Sequence, residues 1–305
     1  MTSVPEQPVV EVVEYTDPLC PWAWGSEPVF RRLRAASSGQ VVWRRVFCIL
    51  FDGNDDPPPD PAAETAWYAR YVEEIGTHTG APWAARLDRV AASSWPSSLV
   101  AKAAELQGAD VAERVLRRLR ETVFVLGEPA DTPALALSAV RGTPGLDLRR
   151  LSVDAASAEV MRAVRADHAE ARRPVREVLS VRSASPHPGA AKETAGGDFR
   201  YALPTVLVRG PAGYRVMPGW RSYDEYASAF GALCSGPLPD PPALSAAQAL
   251  QHYRSLTDPE RKLLSHGEWP PPGAVRIQTG NGPLWLHPAE AAVHPAAGRT
   301  SPSAP

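Results

Sequence analysis

The stretch that most constrains this chain is Thr16-Asp17-Pro18-Leu19-Cys20-Pro21-Trp22-Ala23-Trp24-Gly25-Ser26-Glu27-Pro28. Before it, Val9 to Tyr15 is rich in β-branched residues and reads as a buried strand. After it, Val29-Phe30-Arg31-Arg32-Leu33-Arg34 reads as an amphipathic helix that stops near Ser37-Ser38-Gly39. Cys20 is therefore expected where a strand ends and a helix begins. Pro21 falls at the first helical position, where a missing N–H costs nothing. A sulfur so placed faces unpaired backbone N–H groups and the positive end of a helix dipole, which both favour the nucleophilic thiolate. A lone cysteine is more commonly a small buried hydrophobe. Here the order strand, cysteine, proline, helix favours an active-site position.

A strand leading into Cys-Pro-aromatic-X, then a helix with Pro28 eight residues after the cysteine, resembles the thioredoxin-fold oxidoreductases. Asp17-Pro18-Leu19 and the Trp22/Trp24 pair narrow the resemblance to their cytoplasmic DsbA-like branch, which includes FrnE-type proteins and the Spx adaptors. The chain departs from that pattern at Ala23, where the family usually carries a second cysteine. The resemblance runs to about Ser235. It implies an α/β, thioredoxin-like fold with a large helical insertion.

Along the chain, Val41 to Leu50 reads as a second buried strand, parallel to the first across the Cys20 helix, with Cys48 as core packing. Phe51 to Pro61, with Pro57-Pro58-Pro59, is a loop. Helical patterns then cover Glu64 to Ile75, a segment after Ser97-Ser98, Val111 to Val123, a start at Asp131-Thr132-Pro133, and Ala155 to Glu170. Arg114 to Arg120 reads as a solvated helix face, with Glu113 and Arg117 paired on its outside. Trp67 and Trp83 are expected in the core. Arg200 to Arg209 reads as a strand with Pro204 near its start, Tyr214 to Met217 as its hairpin partner, and Ser222-x-x-Glu225 as a capping box. Cys234 is expected to pack at the end of that helix. Beyond Pro237-Leu238-Pro239 come two short helices and a hairpin, Val275-Arg276-Ile277 with Leu284-Trp285-Leu286. The basic residues there are offset by acids, which argues against a winged DNA-binding module. The expected organisation is a discontinuous thioredoxin-like domain (1–60 and 180–236), a helical insertion (61–179), an accessory element (237–290) and a disordered tail (291–305).

The site implied by the resemblance is Cys20 as nucleophile and Ala23 as the lost resolving position. Pro21, Trp22, Trp24, Trp95, Leu203, Pro204 and Thr205 would be substrate-binding, Pro204 standing where the family has a cis-proline beside the active cysteine. Seven histidines show no pair at metal-binding spacing, so no metal is expected. Nor is a bound cofactor, although a low-molecular-weight thiol is a plausible co-substrate. The 32 basic and 34 acidic residues nearly cancel, which gives no general pull towards nucleic acid or membrane. Three cysteines in 305 residues make no disulfide framework, and the acidic N-terminus is not a secretory signal, so a cytoplasmic location is expected. Three functions follow. The first is a monothiol oxidoreductase whose mixed disulfides an outside thiol resolves. The second is an adaptor that keeps the groove for a protein client, and the third a thiol-cofactor-dependent transferase or isomerase.

Overall fold

Buried Val10, Val12 and Val13 carry the first strand, β1 (Val10–Thr16), into the protein. In this computed structural model, which describes residues 10–52, 60–194, 196–234, 236–241 and 244–298, the chain then enters α1 (Pro21–Ala36). It returns along β2 (Val41–Phe47), paired parallel to β1 from Val10 opposite Val41 to Thr16 opposite Phe47. The expected loop after β2 falls mostly on 53–59, outside the described residues.

The insertion is helical: α2 (Pro61–Thr79), α3 (Trp95–Glu105), α4 (Ala109–Phe124), α5 (Pro133–Ala139), α6 (Leu148–Ala155) and α7 (Ala158–Ala171). The helix expected from Ala155 starts later. Ser157 breaks it from α6 and caps α7, its hydroxyl accepting from the Val160 N–H. The chain then makes a short pair, β3 (Lys192–Glu193) with β4 (Phe199–Arg200), and a hairpin of β5 (Thr205–Gly210) with β6 (Gly213–Pro218). The strand expected from Arg200 is interrupted before Pro204, which has no N–H to give a ladder. β5 lies antiparallel to β1, so the sheet order is β2-β1-β5-β6. The Ser222–Glu225 capping box opens α8 (Tyr223–Gly231). Phe30 and Leu33 of α1 pack with Tyr226 and Phe230 on one face of this sheet.

The C-terminal extension contains β7 (Leu244–Ser245), α9 (Ala246–Tyr253), β8 (Ser255–Thr257), α10 (Asp258–Leu264), β9 (Ser265–His266), β10 (Val275–Thr279), β11 (Gly282–Leu286) and α11 (Pro288–Ala291). Its Ile277, Leu284 and Leu286 join the same apolar cluster as Val115, Leu119 and Phe124 of α4. No helix among the described residues is long and apolar enough to cross a membrane.

Three expectations are corrected. The arginines of α4 are not on a solvated face: Arg118 and Arg120 are 1% exposed, and Arg117 is 4% exposed. Arg117 forks onto Glu260 of the extension at 2.8 and 2.9 Å, Arg118 reaches Glu290, and Arg120 reaches Glu27 of α1. Glu113 holds Arg34 (2.7 Å) and Arg45 instead of Arg117. α1 and the extension cover α4 and bring the carboxylates that make burial of these cations tolerable. The tail expected from Ala291 is structured through Gly298, with a short 3-10 turn over Pro295–Gly298. His294 and Ala296 are buried, the His294 imidazole 3.0 Å from the Glu121 carboxylate, and residues 299–305 lie outside the described residues. Trp67 is 55% exposed and stacks on Tyr71 along α2, because its helix turns that face away from the core.

Candidate functional site

Cys20 is the residue that flanks α1, with extended backbone (φ −86°, ψ 117°), and Pro21 is the first helical residue. The Cys20 carbonyl accepts the first helical bond, from the Trp24 N–H at 3.0 Å. Across from it, the Leu203–Pro204 peptide is cis, and the Cys20 thiol donates to the Leu203 carbonyl at 3.7 Å. That carbonyl also lies 2.8 Å from His187 Nε2. A carbonyl only accepts, so His187 carries its proton on Nε2. The His187 ring stacks on Trp22 at 4.9 Å, and the Trp22 indole N–H donates to the Tyr71 hydroxyl at 2.9 Å. Cys20, Trp22, Tyr71, His187, Leu203 and Pro204 thus form one corner.

α2 lies over this corner because α1 lets it come close. At Gly25 an added Cβ would stand 2.6 Å from Thr79 Cγ2, so the crossing needs glycine there. Tyr68, one turn before Tyr71, donates to the Leu19 carbonyl at 3.5 Å. The result is a closed site: Cys20 is 3% exposed, and Trp22 and Leu203 are buried with it.

That closure reverses the expected electrostatics. Burial pushes the Cys20 thiol up to about 11. The backbone donors of Ala23 and Trp22 pull the other way, as the helix terminus predicts, and the nearby Asp17 carboxylate adds to the rise. Desolvation is the larger effect, so the sulfur is a thiol and not the expected thiolate. Asp17 itself is buried beneath the turn. Its oxygens accept from the Leu19 N–H (2.8 Å), the Ser94 hydroxyl (3.0 Å) and the Leu50 N–H (2.8 Å), which ties the ends of β1 and β2 to the start of α3. Burial outweighs these donors and raises its carboxyl to about 6. His187 is lowered to about 4, chiefly by burial, despite its bond to Leu203.

The other expected site residues separate. Trp24 turns away from Cys20: its indole N–H donates to the Pro82 carbonyl at 2.9 Å, and its ring lies against Phe124 and under the Arg117 guanidinium. Residues two apart on a helix do not share a face, so Trp22 and Trp24 cannot both line one groove. Trp95 binds Asp52 Oδ1 at 2.9 Å and packs by His168. Thr205 is buried, and its hydroxyl donates to the Ala202 carbonyl at 2.7 Å, shaping the turn into β5. Ala23 is buried in the same cluster as Cys20. Cys48 is fully buried, and all three cysteines are free. Sequence reasoning did not single out His187 and Tyr71. Ser185-Pro186-His187-Pro188 marks a turn, and nothing in its distance along the chain points to Cys20. Among the described residues no group of three or more His, Cys, Asp or Glu could hold a metal ion.

Residues 14–173 match the family model described as Thioredoxin, which is over half of the chain. This chain belongs to the DsbA-like thioredoxin-fold family. Among its curated relatives in the family, the ClpXP adapter protein SpxH of Shouchella clausii is 29% identical over 168 residues, 54% of each chain. The SpxH of Bacillus subtilis is 26% identical over 167 residues, 53% of this chain and 54% of that one. The chain spans about half the length of the curated relatives it matches. Among solved structures, a probable DsbA oxidoreductase from Streptomyces coelicolor shares the fold with a TM-score of 0.51 at 16% identity, over 73% of this chain and 89% of that one. A structure from Nitrosomonas europaea does so with a TM-score of 0.57 at 15% identity, over 74% and 97%.

Proposed function

We propose that this chain is a protein-binding member of the family, an adaptor in which the Cys20 corner is a closed, structural part of the fold and not a turnover site. One observation carries this reading: the Cys20 thiol is enclosed, donates to the Leu203 carbonyl and is raised to about 11. At neutral pH a thiol of that acidity is ionised in about one molecule in ten thousand. Ala23 supplies no second sulfur to release an adduct. The relatives named as adapters support a protein client of the same general kind.

The test is the pH dependence of Cys20 alkylation by iodoacetamide, read by mass spectrometry, beside reduction of insulin disulfides. The adaptor reading expects a rate still climbing above about pH 10 and no insulin turnover beyond that of Cys20→Ala. A midpoint below about 8.5, or turnover lost in Cys20→Ala, overturns it.

That second outcome would establish the alternative, a monothiol oxidoreductase, favoured by one feature: the sulfur stands beside the Leu203–Pro204 peptide. Once α2 moved aside, the Cys20 thiolate would attack a disulfide sulfur and expel the other sulfur as a thiolate. An outside low-molecular-weight thiolate would then attack the mixed disulfide and free Cys20. Trp22, Leu203 and Pro204 would position the partner.

A further inference from the structure

Away from Cys20, α1, α4 and the extension enclose a cleft of about 530 Å³, lined in part by Arg34, Trp43, Arg114, Tyr253 and Arg254. Most of its charges are already matched. Arg31, Arg34, Arg117 and Arg118 each reach a carboxylate. Glu113, Glu121 and Glu290 are each held by a cation, and Asp110 is exposed to solvent.

Two arginines of the cleft stand apart. Arg114 donates to the Pro144 carbonyl at 3.3 Å, and among the described residues no carboxylate pairs with it. Arg254 Nη1 lies 3.3 Å from His287 Nδ1, and among the described residues its buried Nε has no hydrogen-bond partner and no carboxylate pairs with its guanidinium. Its backbone is also unusual, with φ at 65° and ψ at −35°. A residue with a Cβ rests poorly there, and such conformations are kept where the surroundings impose them, commonly at ligand sites. Here the Arg254 N–H donates to the Leu250 carbonyl at 3.0 Å and its carbonyl accepts from the His287 N–H at 2.9 Å, which fixes the residue between α9 and the turn into α11.

We propose that this cleft binds a small multivalent oxyanion, a molecule bearing phosphate or carboxylate groups, through the Arg114 and Arg254 guanidinium groups. The forked donors of arginine match the oxygens of either group, and two guanidinium groups without a carboxylate partner, against the single unmatched carboxylate of Asp110, leave the cleft an excess of positive charge. The site is separate from the Cys20 corner and does not rest on the adaptor reading.

The experiment is calorimetric titration of the full chain with pyrophosphate and, separately, with citrate, at fixed ionic strength so that general screening stays constant. Saturable one-site binding of at least one probe is expected, weakened about tenfold or more in Arg114→Gln and in Arg254→Gln. It should be unchanged in Arg149→Gln, which removes an exposed arginine outside the cleft. Preference for pyrophosphate or for citrate identifies the natural ligand as phosphate-bearing or carboxylate-bearing. If Arg254→Gln loses its far-ultraviolet circular dichroism, Arg114→Gln decides alone. No saturable binding of either probe, or equal weakening in Arg149→Gln, overturns the proposal.

Discussion

At Cys20 two effects of opposite sign compete. Helix-terminal N–H donors stabilise a thiolate, and removal from water destabilises it. The motif announces the first effect, while the second depends on α2, whose Tyr68 and Tyr71 close over the turn. Two neighbours of this sulfur make the same burial measurable through pH. The Asp17 carboxyl is raised from 3.8 to about 6, so its contribution to stability is fully present below the lower value and is lost as pH rises through the upper one. His187 is lowered from 6.5 to about 4, so its contribution is present above 6.5 and is lost as pH falls towards 4. Each shift corresponds to about 3 kcal/mol. Acidification from about pH 7 to 4 is therefore expected to cost Asp17→Asn more stability than the parent chain, and His187→Gln less. Urea midpoints across that range give the answer, and parallel curves for parent and variants would remove this account of the corner.

The element that decides access is the α1–α2 crossing. Its closeness rests on Gly25, where a methyl group would meet the Thr79 side chain. Gly25→Ala should push α2 outward, destabilise the protein by about 1–3 kcal/mol and loosen the Trp22–Tyr71 hydrogen bond. Because Cys20 lies under that contact, its alkylation at neutral pH should accelerate. An unchanged alkylation rate in a destabilised variant would show that α2 does not gate the sulfur. The tryptophan pair makes the same point about elements. Helical geometry alone sends Trp22 and Trp24 to different faces, so Trp22 meets His187 and Tyr71 while Trp24 meets Phe124 and Arg117.

For the molecule as a whole, the extension is joined to the family fold by buried charge as well as by apolar contact. Glu260 is enclosed, accepts from Nη1 and Nη2 of Arg117 and stands 3.1 Å from Arg31, while also accepting from the Thr257 N–H at 2.7 Å. Glu260→Ala would leave two buried cations without their shared partner and should cost about 3–5 kcal/mol. Glu73→Ala, on the exposed side of α2, should stay within about 0.5 kcal/mol. Denaturant unfolding of both variants compares them directly, and equal midpoints would mean that the extension is only lightly attached. The sequence alone determined what local rules govern: the strand–cysteine–proline–helix order, the parallel return of β2 and the hairpin with its capped helix. Those depend on propensity, capping and spacing within short windows, and the family motif carries them. It did not determine that Arg117, Arg118 and Arg120 would be buried, that His187 would reach the Leu203 carbonyl, or that the sulfur would be a thiol. A charged run reads as solvated until residues far along the chain arrive with carboxylates, and a cysteine reads as activated until another helix excludes water. Only tertiary packing sets those distances and that desolvation.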